Sequence, residues 1–234
     1  MLKIKYFDSL EALPSVREAV LAEHMGEYID IDKPLRALRP VPVYILTVGS
    51  RREGKVNLMA LSWVTPIQKH PPLLCAVVEK KNCTHNLLAQ YKAYSLSLVS
   101  LEHSEVELAK FVGTHSCREV DKSRLKNISI FYDNKDEIEV PVALTRIGYL
   151  VLVVERVIDL GVSSCFVSRV LKAKINKKYY KNNYLDVGEA QVALHVAKHM
   201  FTRPSKDYKL VVETPWGLAV RKYWRDKVGE FRGS

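Results

Sequence analysis

Residues 42–88 read PVYILTVGSRREGKVNLMALSWVTPIQKHPPLLCAVVEKKNCTHNLL, and the fold turns on how this stretch is parsed. Val41 to Gly49 is apolar and β-branched, Arg51 to Lys55 places Gly54 in a turn, and Val56 to Trp63 resumes the apolar run. That pattern predicts a hairpin. Thr65 to Pro72 reads as an irregular connection, and Leu73 to Val78 predicts a third strand beyond the Pro71-Pro72 break. Asn82, Cys83 and Thr84 precede Leu87, Leu88 and Tyr91, the spacing of a helix with one apolar face, so a helix is expected to begin near Thr84.

Working outward, Tyr94 to Val99 predicts a strand, Ser104 with Glu105 and Glu107 opens a second helix reaching Phe111, and Gly113 to Lys122 is a polar loop. Val140 to Thr145, Tyr149 to Val157 and Phe166 to Ile175 are strand candidates, the last alternating Leu171, Ala173 and Ile175 against Lys172, Lys174 and Asn176. Long strands, short helices and no βαβ rhythm predict a mainly β (α+β) antiparallel barrel. Upstream, Pro14, Val16, Ala19, Val20 and Met25 before Gly26 describe a short amphipathic helix; downstream, Trp224, Val228 and Phe231 stand at helical spacing beside Arg221, Lys222, Arg225 and Lys227. The expected organisation is an N-terminal extension over residues 1–38, one barrel domain over 39–202 and a basic C-terminal extension over 203–234.

The 234 residues are 47% hydrophobic, enough for a sizeable core, and 36 Lys and Arg against 26 Asp and Glu leave a formal charge of +10. Such an excess attracts anions of some kind, whether nucleic acid, membrane surface or a phosphorylated ligand. Residues 51–100 hold seven of the cations and only Glu53 and Glu79 as acids, so an anionic ligand is sought there first. Cys75, Cys83, Cys117 and Cys165 form no CxxC pair and are too few to suggest a disulfide framework, which predicts a reducing, cytoplasmic home. Lys3 and Lys5 are followed by Asp8 and Glu11, where a signal peptide needs apolar residues. The apolar run Ile147 to Val154 is far short of the ~18 residues of a spanning helix.

Two segments could carry chemistry. A helix start at Asn82 to His85 offers unpaired N–H groups and a positive dipole end beside Lys80 and Lys81, which suits a phosphate; an ordinary N-cap with two solvated lysines accounts for the same residues. The strand Asn57 to Thr65, broken at Pro66, would leave backbone groups free for the edge of a planar heterocycle, with hydroxyls from Ser62 and Thr65; simple alternation of Leu58, Ala60 and Trp63 into a core is the plainer account. His195 and His199 are four apart, yet Val196 stands where HExxH needs its base and no third ligand follows, so no metal is expected. GxSxG, GxxxxGK[ST] and GxGxxG are absent.

The order of strand, turn, strand, broken strand, capped helix and polar loop resembles the flavin reductase-like, FMN-binding split-barrel family that includes flavoredoxins. The likeness runs from about Val41 to Phe201 through the opening stretch, then FVGTHSCREVDK (111–122), LVLVVERVIDLG (150–161) and FVSRVLKAKI (166–175). It implies that Asn57, Ala60, Leu61, Ser62, Trp63 and Thr65 lie along a flavin ring, that Lys81, Asn82, Cys83, Thr84 and His85 hold the FMN phosphate, and that Ser116, Arg118 and Lys122 belong to a loop closing over it. Cys117 replaces a glycine of that loop, which would matter if the position needs positive φ. His195 matches a residue near the flavin's open face, with Ala197 and Lys198 where glycines are expected; Lys198 could offer a cation to an acidic substrate. The resemblance further implies a homodimer, NADH or NADPH as reductant, and a small-molecule or protein electron acceptor. Flavin chemistry demands no side-chain nucleophile, in keeping with the absence of triads. A second reading is a basic β-barrel that binds nucleic acid, drawing on the charge and on Tyr223 to Arg232; against it, residues 51–100 offer aromatics only at Trp63, Tyr91 and Tyr94 and no stacking platform.

Overall fold

A computed structural model describes residues 29–204 apart from residue 127, together with the backbone of 208–214 and 217–223. Two compact units divide the chain, one of Leu38–Pro204 and one of Met1–Ala37 with Ser205–Ser234.

In the larger unit, β1 (Val41–Pro42), β2 (Tyr44–Ser50), β3 (Lys55–Leu61), β4 (Val64–Gln68) and β5 (Leu73–Glu79) precede α1 (Cys83–Tyr91), β6 (Ala93–Leu98) and α2 (His103–Thr114). Next come β7 (Ile130–Lys135), β8 (Ile138–Ala143), β9 (Gly148–Asp159), β10 (Ser163–Ile175), β11 (Tyr180–Lys181), β12 (Tyr184–Leu185), the one-turn helix α3 (Val187–Ala190), β13 (Leu194–Ala197) and β14 (Met200–Thr202). Seven strands form one sheet in the order β3-β2-β6-β9-β10-β5-β4, and every paired strand in it is antiparallel. The expected antiparallel split barrel, the opening hairpin and both helices are therefore present.

Strand β2 explains the sheet's curl. Leu46 and Val48 point into one core with Leu96, Leu152, Phe166 and Leu88 of α1, while Val43 and Ile45 enter a second core with Leu108, Ala109 and Val112 of α2. A strand buried on both faces needs apolar residues at consecutive positions, as the run YILTV supplies. Polar residues in this interior are matched by backbone: Ser95 Oγ and Ser97 Oγ of β6 donate to the carbonyls of Pro141 and Ala143 at 2.7 and 2.6 Å, tying β8 across the sheet.

Several expectations are corrected. The strand read from Val56 to Trp63 stops at Leu61, and the stretch taken as irregular contains β4. Pro66 is tolerated because β4 is the last strand of the sheet, where a missing N–H costs no ladder bond. Strand β7 was not expected, and its hairpin with β8 turns on Asp136 and Glu137, both at positive φ with no glycine to mark the turn. The clean alternation read in β10 fails because the register with β9 shifts between Val167 and Ser168 and between Val170 and Lys172, leaving Ala173 exposed and Leu171 half-buried. His195 lies in β13 and His199 in the turn after it, so the two imidazoles do not share a helical face.

All four cysteines are paired, against the expectation of free thiols: Cys75 with Cys165, and Cys83 with Cys117. Their partners are 90 and 34 residues apart in sequence, so only the pairing of β5 with β10, and the approach of the loop after α2 to α1, could reveal them. In the smaller unit, the backbone of β15 (Tyr208–Thr214) and β16 (Gly217–Tyr223) forms an antiparallel hairpin. Arg221 and Lys222 are thus on a strand rather than the expected helix. Trp224, Val228, Phe231 and the expected helix near Pro14 lie outside the described residues.

Candidate cofactor site

The end of β3 and the start of α1 meet at a cavity of about 420 Å³, within the range of about 300–1,000 Å³ of small-molecule sites. One wall is the last residues of β3 and the break after it, Met59 to Trp63; the facing wall is Val77, Val78 and Glu79 of β5 with Asn82, Cys83 and Thr84. The end of α2 and its following loop, Val112 to Cys117, close a third side. The sheet places β3 and β5 far apart in strand order, so it is the curl around β6 and β9 that brings them together.

Each wall has a physical reason for its place. Asn82 is the N-cap of the nine-residue α1 and makes no side-chain cap hydrogen bond, so the first turn presents backbone donors toward the cavity. Thr84 is 2% exposed and its Oγ1 accepts from Asn57 Nδ2 at 2.8 Å, while Asn57 Oδ1, also buried, has no partner. The tip of α2 lies so close to β3 that a Cβ at Gly113 would stand 3.1 Å from the Ala60 Cβ, tighter than ordinary contact. The Lys122 ammonium, on a residue 4% exposed, donates to the carbonyls of Leu58 at 3.0 Å and Val112 at 2.7 Å, fastening β3 to α2. Burial pulls its pKa down to about 8, partly opposed by Glu119.

Of the residues expected from sequence, Ala60, Leu61, Ser62, Trp63, Asn82, Cys83, Thr84, Ser116 and Lys122 line this cavity. The others do not. Lys81 turns to Glu79 at 2.6 Å on the surface, as Lys80 does to Asp159, so the two lysines are spent on ion pairs. His85 reaches Ser164 Oγ at 2.9 Å and packs edge-on against Phe166. Thr65 is exposed on the edge strand, Arg118 is exposed in the loop, and Asn57 acts from behind Thr84. Cys117 does not take a positive φ, so its place in the glycine position carries no left-handed strain, and it is bonded to Cys83.

His195 belongs to a neighbouring cavity of about 170 Å³ that shares Ala60, Ser62, Gly113 and Thr114 with the first. Arg39 Nη1 lies 2.8 Å from His195 Nδ1 and 3.2 Å from Ser62 Oγ. A guanidinium can only donate, so Nδ1 accepts, and the Nε2–H donates to the Lys198 carbonyl at 3.1 Å. Both ring nitrogens are therefore occupied. Lys110, Lys198 and His199 line the same small cavity with no carboxylate among the lining residues. Met59, Val77, Val78, Glu79, Val112, Gly113, Thr114, His115 and Ser163 were not singled out as lining residues, because nothing local to them differs from an ordinary strand or helix end.

No group of three or more His, Cys, Asp or Glu side chains placed to hold a metal occurs among the described residues, and no described helix is long and apolar enough to cross a membrane.

Solved structures share this fold. A FMN-binding protein from Thermus thermophilus, solved with bound p-hydroxybenzaldehyde, superposes with a TM-score of 0.66 at 24% identity, covering 79% of this chain and 98% of that one. A flavoredoxin from Methanosarcina acetivorans gives 0.63 at 22%, covering 89% and 95%, and nitrilotriacetate monooxygenase component B from Bacillus cereus gives 0.68 at 16%, covering 80% and 100%. An uncharacterized protein of Pyrococcus abyssi is 26% identical over 166 residues, 70% of this chain and 88% of its own. Residues 36–195 match the flavin reductase like domain, which spans the barrel and both cavities up to His195, and the chain therefore belongs to the flavin reductase-like, split-barrel family.

Proposed function

We propose that this protein is an FMN-dependent oxidoreductase, with the flavin ring against Met59 to Trp63 and its phosphate at the first turn of α1. The observation that carries this reading is the uncapped start of α1 opening into the same cavity as the broken end of β3. Bound FMN would supply reversible hydride and electron transfer. The chain's own residues do the rest. Backbone N–H groups at Cys83 and Thr84, with the Thr84 hydroxyl set by Asn57, hold the dianion; Ser62 offers a hydroxyl at the ring edge; Lys122 sets the approach of α2 to β3. The apolar Met59, Leu61, Val77 and Val78 exclude water from the ring's inner face.

The small cavity beside Ser62 is where an acceptor or the nicotinamide of NADH or NADPH would approach, and its unneutralised cations favour an anionic one. The reading includes a homodimer, supported by the tip of the β9–β10 hairpin, where Val157, Leu160 and Val162 are 48, 54 and 82% exposed beside Ser163 of the cavity. Nucleic-acid binding is the weaker reading: Arg51, Lys55, Lys80 and Lys81 each pair with a carboxylate on the surface, and most of Tyr223 to Arg232, on which it draws, lies outside the described residues.

Titration of the purified protein with FMN, followed by the shift and resolution of the flavin absorbance bands, tests the reading. Saturable uptake and bleaching by NADH or NADPH are expected; protein that stays colourless after gel filtration from excess FMN overturns it.

A further inference from the structure

The two disulfides occupy different kinds of place. Cys75 and Cys165 join neighbouring strands β5 and β10 diagonally, with Cα atoms 6.0 Å apart, inside a ladder that already holds those strands together. Cys83 and Cys117, with Cα atoms 6.4 Å apart, join the first turn of α1 to the loop after α2, and both line the cavity. Neither Cys83 nor Cys117 is buried.

The loop needs such a tie. The hydrogen bonds of residues 116–121 close on the loop itself or on the next turn of chain: Ser116 N to Glu119 Oε2, Arg118 N to Ser116 Oγ, Glu119 N and Val120 N to the Ser116 carbonyl, Ser123 to Asp121 Oδ1, and Arg124 N to the Asp121 carbonyl. The ion pair of Asp121 with Arg124 is equally local. Among the described contacts of these residues, the Cys83–Cys117 bond is the one that reaches the α1 side of the cavity.

We propose that Cys83 and Cys117 are a thiol–disulfide exchange site, reacting with low-molecular-weight disulfides and dithiols, and that the bonded state shuts the loop over the cavity and retains its occupant. The identity of that occupant as FMN rests on the function proposed above; the exchange and the closure do not. Cys83, in the first turn of α1, is the sulfur a helix N-terminus favours as thiolate. Its thiolate attacks one sulfur of a small disulfide and expels one thiolate, which takes up a proton; the Cys117 thiol, losing its proton, attacks the Cys83 sulfur of the mixed disulfide and expels the second. The two protein thiols lose two electrons and the small disulfide becomes two thiols. A dithiol reverses both steps.

The experiment uses the full chain in two states, equilibrated with excess oxidised or reduced dithiothreitol. Alkylation and mass spectrometry report which cysteines are free, hydrogen exchange reports residues 113–122, and recovery of free-flavin fluorescence on dilution reports release of FMN from protein loaded beforehand. The oxidised state is expected to carry the Cys83–Cys117 bond, to slow exchange in 113–122 at least fivefold, and to release FMN at least tenfold more slowly. Cys117→Ser and Cys83→Ala should each match the reduced protein under both conditions, whereas Cys75→Ser with Cys165→Ser should keep the difference. The proposal is overturned if Cys83 and Cys117 remain alkylatable after oxidation, if exchange in 113–122 is the same in both states, if FMN leaves both states at one rate, or if a difference persists in Cys117→Ser. Failure to load FMN would refute the function proposed above, and the alkylation and exchange measurements would still decide the exchange site and its closure.

Discussion

Lys122 and Asp133 are both charged side chains held inside the protein, 4 and 8% exposed, and they are satisfied in opposite ways. Asp133, on β7, receives hydrogen bonds from Lys172 at 2.6 Å and from the Tyr149 hydroxyl at 2.7 Å, with Lys174 at 3.7 Å. Burial alone would raise its pKa, but those donors outweigh it and hold the carboxyl below its ordinary value, while burial and the same carboxylate push the Tyr149 hydroxyl up. Lys122 meets only carbonyls and loses basicity instead. The Asp133 cluster is a self-sufficient clamp joining β7 to β9 and β10. The Lys122 site is an ammonium held at the cavity wall by two carbonyls, with Glu119 opposing the effect of burial only in part.

Breaking the clamp should have the largest effect. Asp133→Ala strands Lys172 and Tyr149 and is expected to cost about 3 kcal/mol in urea unfolding, with FMN affinity of the folded protein nearly unchanged. Because its folded pKa is depressed, the stabilisation from Asp133 is present above its ordinary value of 3.8 and is lost as pH falls through the lower folded value.

At the cavity the order of effects reverses. Thr84→Val removes the acceptor of Asn57 Nδ2 and a hydroxyl at the phosphate position, and about 1–2 kcal/mol of FMN affinity should go with it, measured by fluorescence quenching. Riboflavin, lacking the phosphate, should lose less; equal losses would remove the phosphate from α1.

The Lys122 side of the contrast is sharpened by pH. The folded protein sheds this proton near pH 8 and the unfolded chain only near 10.5, so between those values the unfolded state binds more protons and Lys122 makes stability rise with pH. Above pH 10 Tyr91, raised to about 12 by burial and Glu53, works in the other direction, since its contribution is full below 10 and lost beyond. Lys122→Met should therefore abolish a rise confined to about pH 8–10 in denaturant titrations of the flavin-free protein. The smallest effect is expected of Lys81→Ala, under about 0.5 kcal/mol in FMN affinity, because its charge is already spent on Glu79.

The contrast also marks the limit of what is legible in the chain. The apolar run of β2, the turn at Gly54, the start of α1 and the long β9 and β10 are written locally, since burial and turn geometry act on neighbours in sequence. Asn82 to Thr84 could be singled out for the same reason. Lys81 and His85 stand off the cavity because charge and proximity in sequence do not say which way a side chain leaves a helix start, and the nearest carboxylate or hydroxyl claimed each of them. Arg39 with His195, and Cys83 with Cys117, are separated by 156 and 34 residues and carry no spacing rule that could pair them.

By itself, then, the sequence determined a mainly β chain with a hairpin, a helix beginning near Thr84 and the family of the barrel, because hydrophobic alternation, turns and helix starts are short-range properties. Only the tertiary structure decided which residues face the cavity, that β3 and β5 form its opposing walls, that Lys122 is sunk among carbonyls and that two cysteines meet at the cavity's edge. Those depend on how the sheet curls, and curl is a sum over the packing of every strand rather than a property of any one of them.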